Sequence, residues 1–104
     1  MRSRFQRAAL LLLAPALPCV ALADTHTIRM ENMQFVPAVV TVQRGDTLVW
    51  QNADLVPHTA TAKARFDSGL IAAGKSWQQA APAPGSYDVI CSFHPGMKAR
   101  LVVK

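Results

Sequence analysis

The sequence predicts an all-β fold, a Greek-key β-sandwich or barrel of about seven to eight short strands. Three observations predict it. From residue 24 onward apolar residues tend to alternate with polar ones, turn-forming residues interrupt them every few positions, and no long stretch carries helical periodicity or caps. Alternation matters because successive side chains of a strand point to opposite faces, so a half-buried sheet needs a period of two.

Taken in order, the first strand is expected over 27–31, with Ile28 and Met30 on one face and Arg29 and Glu31 near the other. Residues 39–44 are rich in β-branched side chains, and Gly45-Asp46 turns them into a strand over 47–50. A strand over 58–63 follows, and Lys63 and Arg65 alternate with Ala62 and Ala64 as on a half-exposed strand. Strands over 76–80, 86–91 and 98–104 complete the set. Pro37, Asn52-Ala53-Asp54, Pro57, Gly69, Gly74-Lys75, the 82–85 segment and Pro95-Gly96 supply the turns. The 65–73 segment reads as a loop with a short strand. Trp50, Trp77, Phe66 and Tyr87 are expected in the core, as are Met30 and Met33; His26 reads as structural or merely exposed.

A chain of 104 residues suits one domain. Residues 1–23 read as something else. Arg2, Arg4 and Arg7 precede an apolar run over 8–17, and Ala21 and Ala23 occupy positions −3 and −1 of a cut before Asp24. That is the pattern of a secretory signal peptide, which implies a periplasmic mature protein over 24–104. The run is too short to span a bilayer and Pro15 and Pro18 interrupt it, so no stable membrane insertion is expected. Cys19 as a lipid-modified cut site is disfavoured by the proline directly before it.

Removing the leader takes three of the eleven Lys and Arg and none of the six acids, so the mature net charge is +2. The eight remaining bases are scattered, and nucleic-acid binding has no support. A mature chain of this size sits near the lower limit for folding unaided, and Cys91 alone cannot form an internal disulfide. A bound metal would give that thiol a purpose and stabilise the native state.

The donors for one are present. Cys91, His94 and Met97 are spaced with two residues between neighbours, the cysteine ends an apolar strand, and a turn carrying His94 and Met97 follows. His58 offers a fourth donor at the start of another strand, 33 residues before Cys91. Two imidazoles, a thiolate and a weak thioether are the donor set of a mononuclear blue-copper site. Thiolate and thioether favour Cu(I) and imidazole serves both oxidation states, so one copper per chain, cycling Cu(II)/Cu(I), is expected.

The ordered segments Phe35-Val36-Pro37, Val40-Thr41-Val42, Gly45-Asp46-Thr47, Val49-Trp50-Gln51-Asn52, Pro57-His58-Thr59, Gly85-Ser86-Tyr87 and Cys91 through Met97 give the mature chain a family resemblance. It resembles the cupredoxins, and its short ligand loop is most similar to that of the amicyanins. The resemblance implies a β-sandwich with copper near one end. Cys91 would be the thiolate ligand, His58 and His94 the equatorial imidazoles and Met97 the distant axial ligand. His94 would lie toward the surface and pass electrons through its ring edge, and the Thr59 N–H would donate toward the Cys91 sulfur. Amicyanin-like sequences often carry Asn where Thr59 stands, a departure that bears on the reduction potential and not on the metal.

The competing chemistries are weaker. A Cys–His hydrolase needs a third group to orient its base, and no Asn or Asp partner accompanies Cys91 and His94 in the motif. Cys-His-His also suits zinc, which would not require Met97. The expected function is therefore non-enzymatic: one-electron transfer between redox partner proteins, with copper delivery or storage as the alternative. Partners are expected to dock near His94, over Pro57, Phe93 and Pro95, on a monomer.

Overall fold

Ile28 and Met30, like Leu48 and Trp50, occupy alternate positions on their strands, and all four are fully buried. Tyr87 and Val89, and Leu101 and Val103, repeat the pattern across from them. The computed structural model describes residues 22–104. All but the last two positions of the expected leader, and Cys19 with them, lie outside the described residues.

Nine strands form in chain order among the described residues: β1 (Thr25–Glu31), β2 (Gln34–Val36), β3 (Val39–Val42), β4 (Thr47–Asn52), β5 (Thr61–Ala62), β6 (Phe66–Asp67), β7 (Ser76–Ala80), β8 (Gly85–Cys91) and β9 (His94–Val103). They make a β-sandwich of two mixed sheets, one ordered β2-β1-β4-β7 and the other β3-β9-β8-β5-β6. β1 pairs parallel to β4, and β3 parallel to β9. Residues facing outward, such as Arg29, Gln51, Asp88 and Arg100, are the polar half of the alternation. No helix among the described residues is long and apolar enough to cross a membrane.

Aromatic rings fill the centre. Trp50 is fully buried and donates its indole Nε1–H to Gln79 Oε1 at 2.9 Å. Phe35 meets it edge-on at 5.7 Å between centroids. Phe66 lies 6.1–6.3 Å from Trp50, Trp77 and Tyr87. The Tyr87 hydroxyl donates to the Ala83 carbonyl, pinning the turn before β8. Trp77 is only partly buried. Trp50→Ala should therefore lower the stability of the metal-free protein by about 3–5 kcal/mol. Chemical denaturation reads this directly, and an unchanged midpoint would refute the shared core.

The structure departs from the expected elements where local geometry outweighs alternation. Gln34–Val36 forms a strand too short to show a period, returning from a two-residue turn at Asn32 and Met33 whose φ values are 52° and 61°. That turn puts Met33 at the surface, 41 % exposed, and not in the core. Residues 63–65 are a turn and not a strand: the Arg65 N–H donates to the Ala62 carbonyl at 2.8 Å, and Ala64 takes φ 62°. The 58–63 strand shrinks accordingly to β5 and a single bridge between His58 and Ile71.

The β8–β9 hairpin positions the chemistry. Ile90 pairs with Lys98, yet Cys91 pairs with His94, so Pro95, Gly96 and Met97 bulge out of the ladder behind a Ser92-Phe93 tip. His94 thus opens β9 and does not sit in a free loop. Proline has no N–H to give a ladder, and the bulge is where a strand tolerates one.

Candidate metal centre

His58 is held by two strands' worth of backbone. Its N–H and carbonyl exchange hydrogen bonds with Ile71 at 3.1 and 2.7 Å. Fully buried Asn52, at the end of β4, braces the approach: its side-chain amide donates to the Val56 and Ile71 carbonyls, and its oxygen accepts the Asp54 N–H. Thr59 then joins this segment to the hairpin. Its N–H points at Cys91 Sγ at 3.4 Å, and its hydroxyl oxygen accepts the Ser92 N–H at 2.8 Å.

Three of the four sequence-selected donors converge. Cys91 Sγ lies 3.6 Å from His58 Nδ1 and 3.6 Å from His94 Nδ1, and the three donor atoms all lie within 4.8 Å of one another. The two imidazoles meet edge-to-face, 5.2 Å apart at 73°. Cys91 and His58 are completely buried, and His94 is half-buried. Met97 is buried in the bulge on the same hairpin, where it lines a surface cleft with Met33, Phe35 and Lys98.

The spacing fits a single ion. Bonds of about 2.3 Å to sulfur and 2.0–2.1 Å to nitrogen, at tetrahedral to trigonal angles, separate sulfur from nitrogen by about 3.6–3.8 Å. The protein holds both S···N distances at that value. The tautomer also fits. His58 Nε2 sits 2.7 Å from Asp54 Oδ2 and donates its proton there, which leaves the Nδ1 lone pair facing the sulfur.

Residues 6–103 match the sequence model of the cupredoxin-like domain. The chain belongs to the cupredoxins. Amicyanin from Paracoccus versutus is 26% identical over 88 residues, spanning 79% of this chain and 67% of that one. Amicyanin-alpha from Methylorubrum extorquens is 29% identical over 88 residues, spanning 79% and 74%. Among solved structures, an amicyanin variant in the Cu(I) state superposes with a TM-score of 0.70 at 21% identity, covering 75% of this chain and 80% of that one. The copper-containing nitrite reductase of Thermus scotoductus gives 0.71 at 25% identity, covering 88% of this cupredoxin but only 24% of the reductase.

In this cupredoxin, Asp54 is the residue that the motif reading passed over. Besides His58, its carboxylate accepts the N–H groups of Asn32 and Met33 at 2.8 and 3.0 Å, so one side chain ties the β1–β2 turn to the imidazole. Burial raises its pKa, but the N–H of Met33, then His58, then the N–H of Asn32 more than offset this and hold the carboxyl below its ordinary value. The signal lay in the sequence as the four-residue spacing from Asp54 to His58, inside a segment that reads only as a turn.

Asp54 pairs with His58 and not with His94, the base of the Cys–His pair considered in the sequence. Cys91, His58 and Asp54 are aligned as thiol, base and orienting acid. The first two are completely buried, so the sulfur is closed off from solvent.

Apolar side chains surround the half-buried imidazole in sequence. Pro57, Phe93 and Pro95 are exposed, and Leu55 and Val56, just before His58, join them; Leu55 is 96 % exposed.

Proposed function

We propose that this cupredoxin is exported, loses residues 1–23, and carries single electrons between redox partner proteins in the periplasm. His58, Cys91, His94 and Met97 would hold one copper ion, which supplies reversible one-electron chemistry when bound. The observation that carries the reading is the buried thiol with two imidazole nitrogens at 3.6 Å and one backbone N–H aimed at it. Asp54 orients His58, and Thr59 clamps the two ligand-bearing segments, so the donors keep their places as charge changes. The half-buried ring of His94, next to exposed Phe93 and Pro95, gives a partner its route of approach.

Copper delivery is the rival. It calls for donors that an acceptor protein can reach, and burial of Cys91 and His58 argues against it. The copper-loaded monomer should show intense visible absorption and a reversible one-electron wave, and should retain its metal in the presence of a competing copper-binding protein. A colourless protein, or one that surrenders its copper within seconds without turning over electrons, would defeat the electron-carrier reading.

A further inference from the structure

At the other end of the sandwich, a cluster stands apart from the copper reading. β1 and β4 run parallel from the Thr25–Thr47 pair to the Met30–Asn52 pair, about 17 Å along the strands, and Asp46 lies just before the first of these pairs. Asp46 is only 4 % exposed. Its Oδ2 accepts the Gln43 N–H and contacts His26 Nε2, both at 2.9 Å, and its Oδ1 accepts the backbone N–H of Asp24 at 3.0 Å. The Asp24 carboxylate joins the same cluster, within 4.8 Å of the other two.

The charges there do not balance. Two carboxylates share one imidazole, and among the described residues His26 is the sole ion-pair partner of Asp46. Arg44 and Lys104 bond to one another through their backbones, and neither makes an ion pair with Asp46. A carboxylate this buried gains more from a further positive charge than an exposed one would.

The nitrogen on Oδ1 belongs to the residue that follows Ala21-Leu22-Ala23. In the uncut chain it is an amide. Hydrolysis of the Ala23–Asp24 bond adds water, leaving a carboxyl on Ala23 and a primary amine on Asp24 that is protonated at neutral pH. We propose that export processing cuts between Ala23 and Asp24, and that the Asp46 carboxylate receives the α-ammonium so released, so that maturation itself adds an ion pair to the fold. The inference rests on the export reading above.

Position supports that cut. Leu22, Ala23 and Asp24 are exposed and lie outside any strand, and β1 begins at Thr25. The Asp24 carbonyl accepts the Thr47 N–H at 2.8 Å, so the new terminus is anchored one atom group from its own charge. A cut one residue earlier would move the charge about 3.8 Å along the chain, and a cut one residue later would delete the nitrogen.

The pairing raises the amine's pKa above its ordinary 7.7–8.0. The added stability is therefore complete below that range and disappears as pH rises through the raised value. It also fades in acid once Asp46 is protonated; the N–H groups of Asp24 and Gln43, then His26, hold that carboxyl below its ordinary value against burial.

The test compares the copper-loaded mature protein with its α-acetylated form, which keeps the N–H donor and loses only the charge. Intact mass should first show a chain starting at Asp24. Acetylation should then lower the melting temperature by about 4–8 °C at pH 7, with little difference near pH 10.5. Asp46→Asn, where it folds, should abolish the effect of acetylation at pH 7. A mature chain starting elsewhere overturns the cut position and leaves the copper reading untouched. Identical melting of the two forms at pH 7 overturns the ion pair while leaving export intact.

Discussion

Cys91→Ser protein is expected to fold, and to lose both the blue colour and the stabilisation that copper gives its parent. The substitution is nearly isosteric. Serine Oγ can still accept the Thr59 N–H that lies 3.4 Å from the sulfur, and burying the hydroxyl should cost the metal-free protein no more than about 1–3 kcal/mol. The metal chemistry changes far more. A thiol gives up its proton to become a soft anionic ligand, whereas a serine hydroxyl stays neutral and hard. The intense absorption of a blue-copper protein comes from a short copper–thiolate bond, so it has no source without the sulfur. Copper at a hundred times its dissociation constant adds about 2.7 kcal/mol to the parent. A variant whose dissociation constant has risen to the copper concentration gains only about 0.4 kcal/mol. Thermal unfolding with and without copper, read beside the visible spectrum, separates the two. A serine variant that remains blue, or that copper protects as well as the parent, would remove Cys91 from the site.

Much of this arrangement is legible in the sequence, for definite reasons. Ile28 and Met30, Leu48 and Trp50, and Tyr87 and Val89 are all buried because a sandwich strand hides every second residue, and that pattern survives without tertiary information. The spacing of Cys91, His94 and Met97, with His58 on a separate segment, is equally local. What escapes is geometry that no period records. Lys63, Ala64 and Arg65 alternate like a strand, but a backbone bond from Arg65 to Ala62 closes them into a turn. Met33 has the composition of a core residue and lies in a two-residue turn that carries it outward. The three-residue bulge at Pro95, Gly96 and Met97 exists because Ile90 and Cys91, adjacent on β8, pair with Lys98 and His94 on β9. Asp54 looks like turn punctuation, and only the folded chain brings Asn32, Met33 and His58 to its carboxylate.

Asp54→Asn tests whether that carboxylate serves the metal or merely the turn. The amide keeps the size of the side chain and one oxygen that can accept a hydrogen bond, but it turns the other into a donor and removes the negative charge behind His58 Nε2. A histidine whose far nitrogen donates to a carboxylate is a stronger donor at its near nitrogen, and loss of such a partner typically weakens metal binding 10–100-fold. The loss should fall more heavily on Cu(II), the more highly charged ion, than on Cu(I). Each tenfold difference between the two raises the reduction potential by about 59 mV. The expected variant is therefore still blue, binds Cu(II) at least about tenfold more weakly, and has a potential tens of millivolts higher. A purely structural role predicts something else: faster exchange of the Asn32 and Met33 amides and lower stability, with affinity and potential unchanged. Competition titration, voltammetry and hydrogen exchange on one sample decide between them, because the N–H bonds to the turn and the N–H bond to His58 end on the same two oxygens and only the last of these lies behind a proposed ligand of the metal.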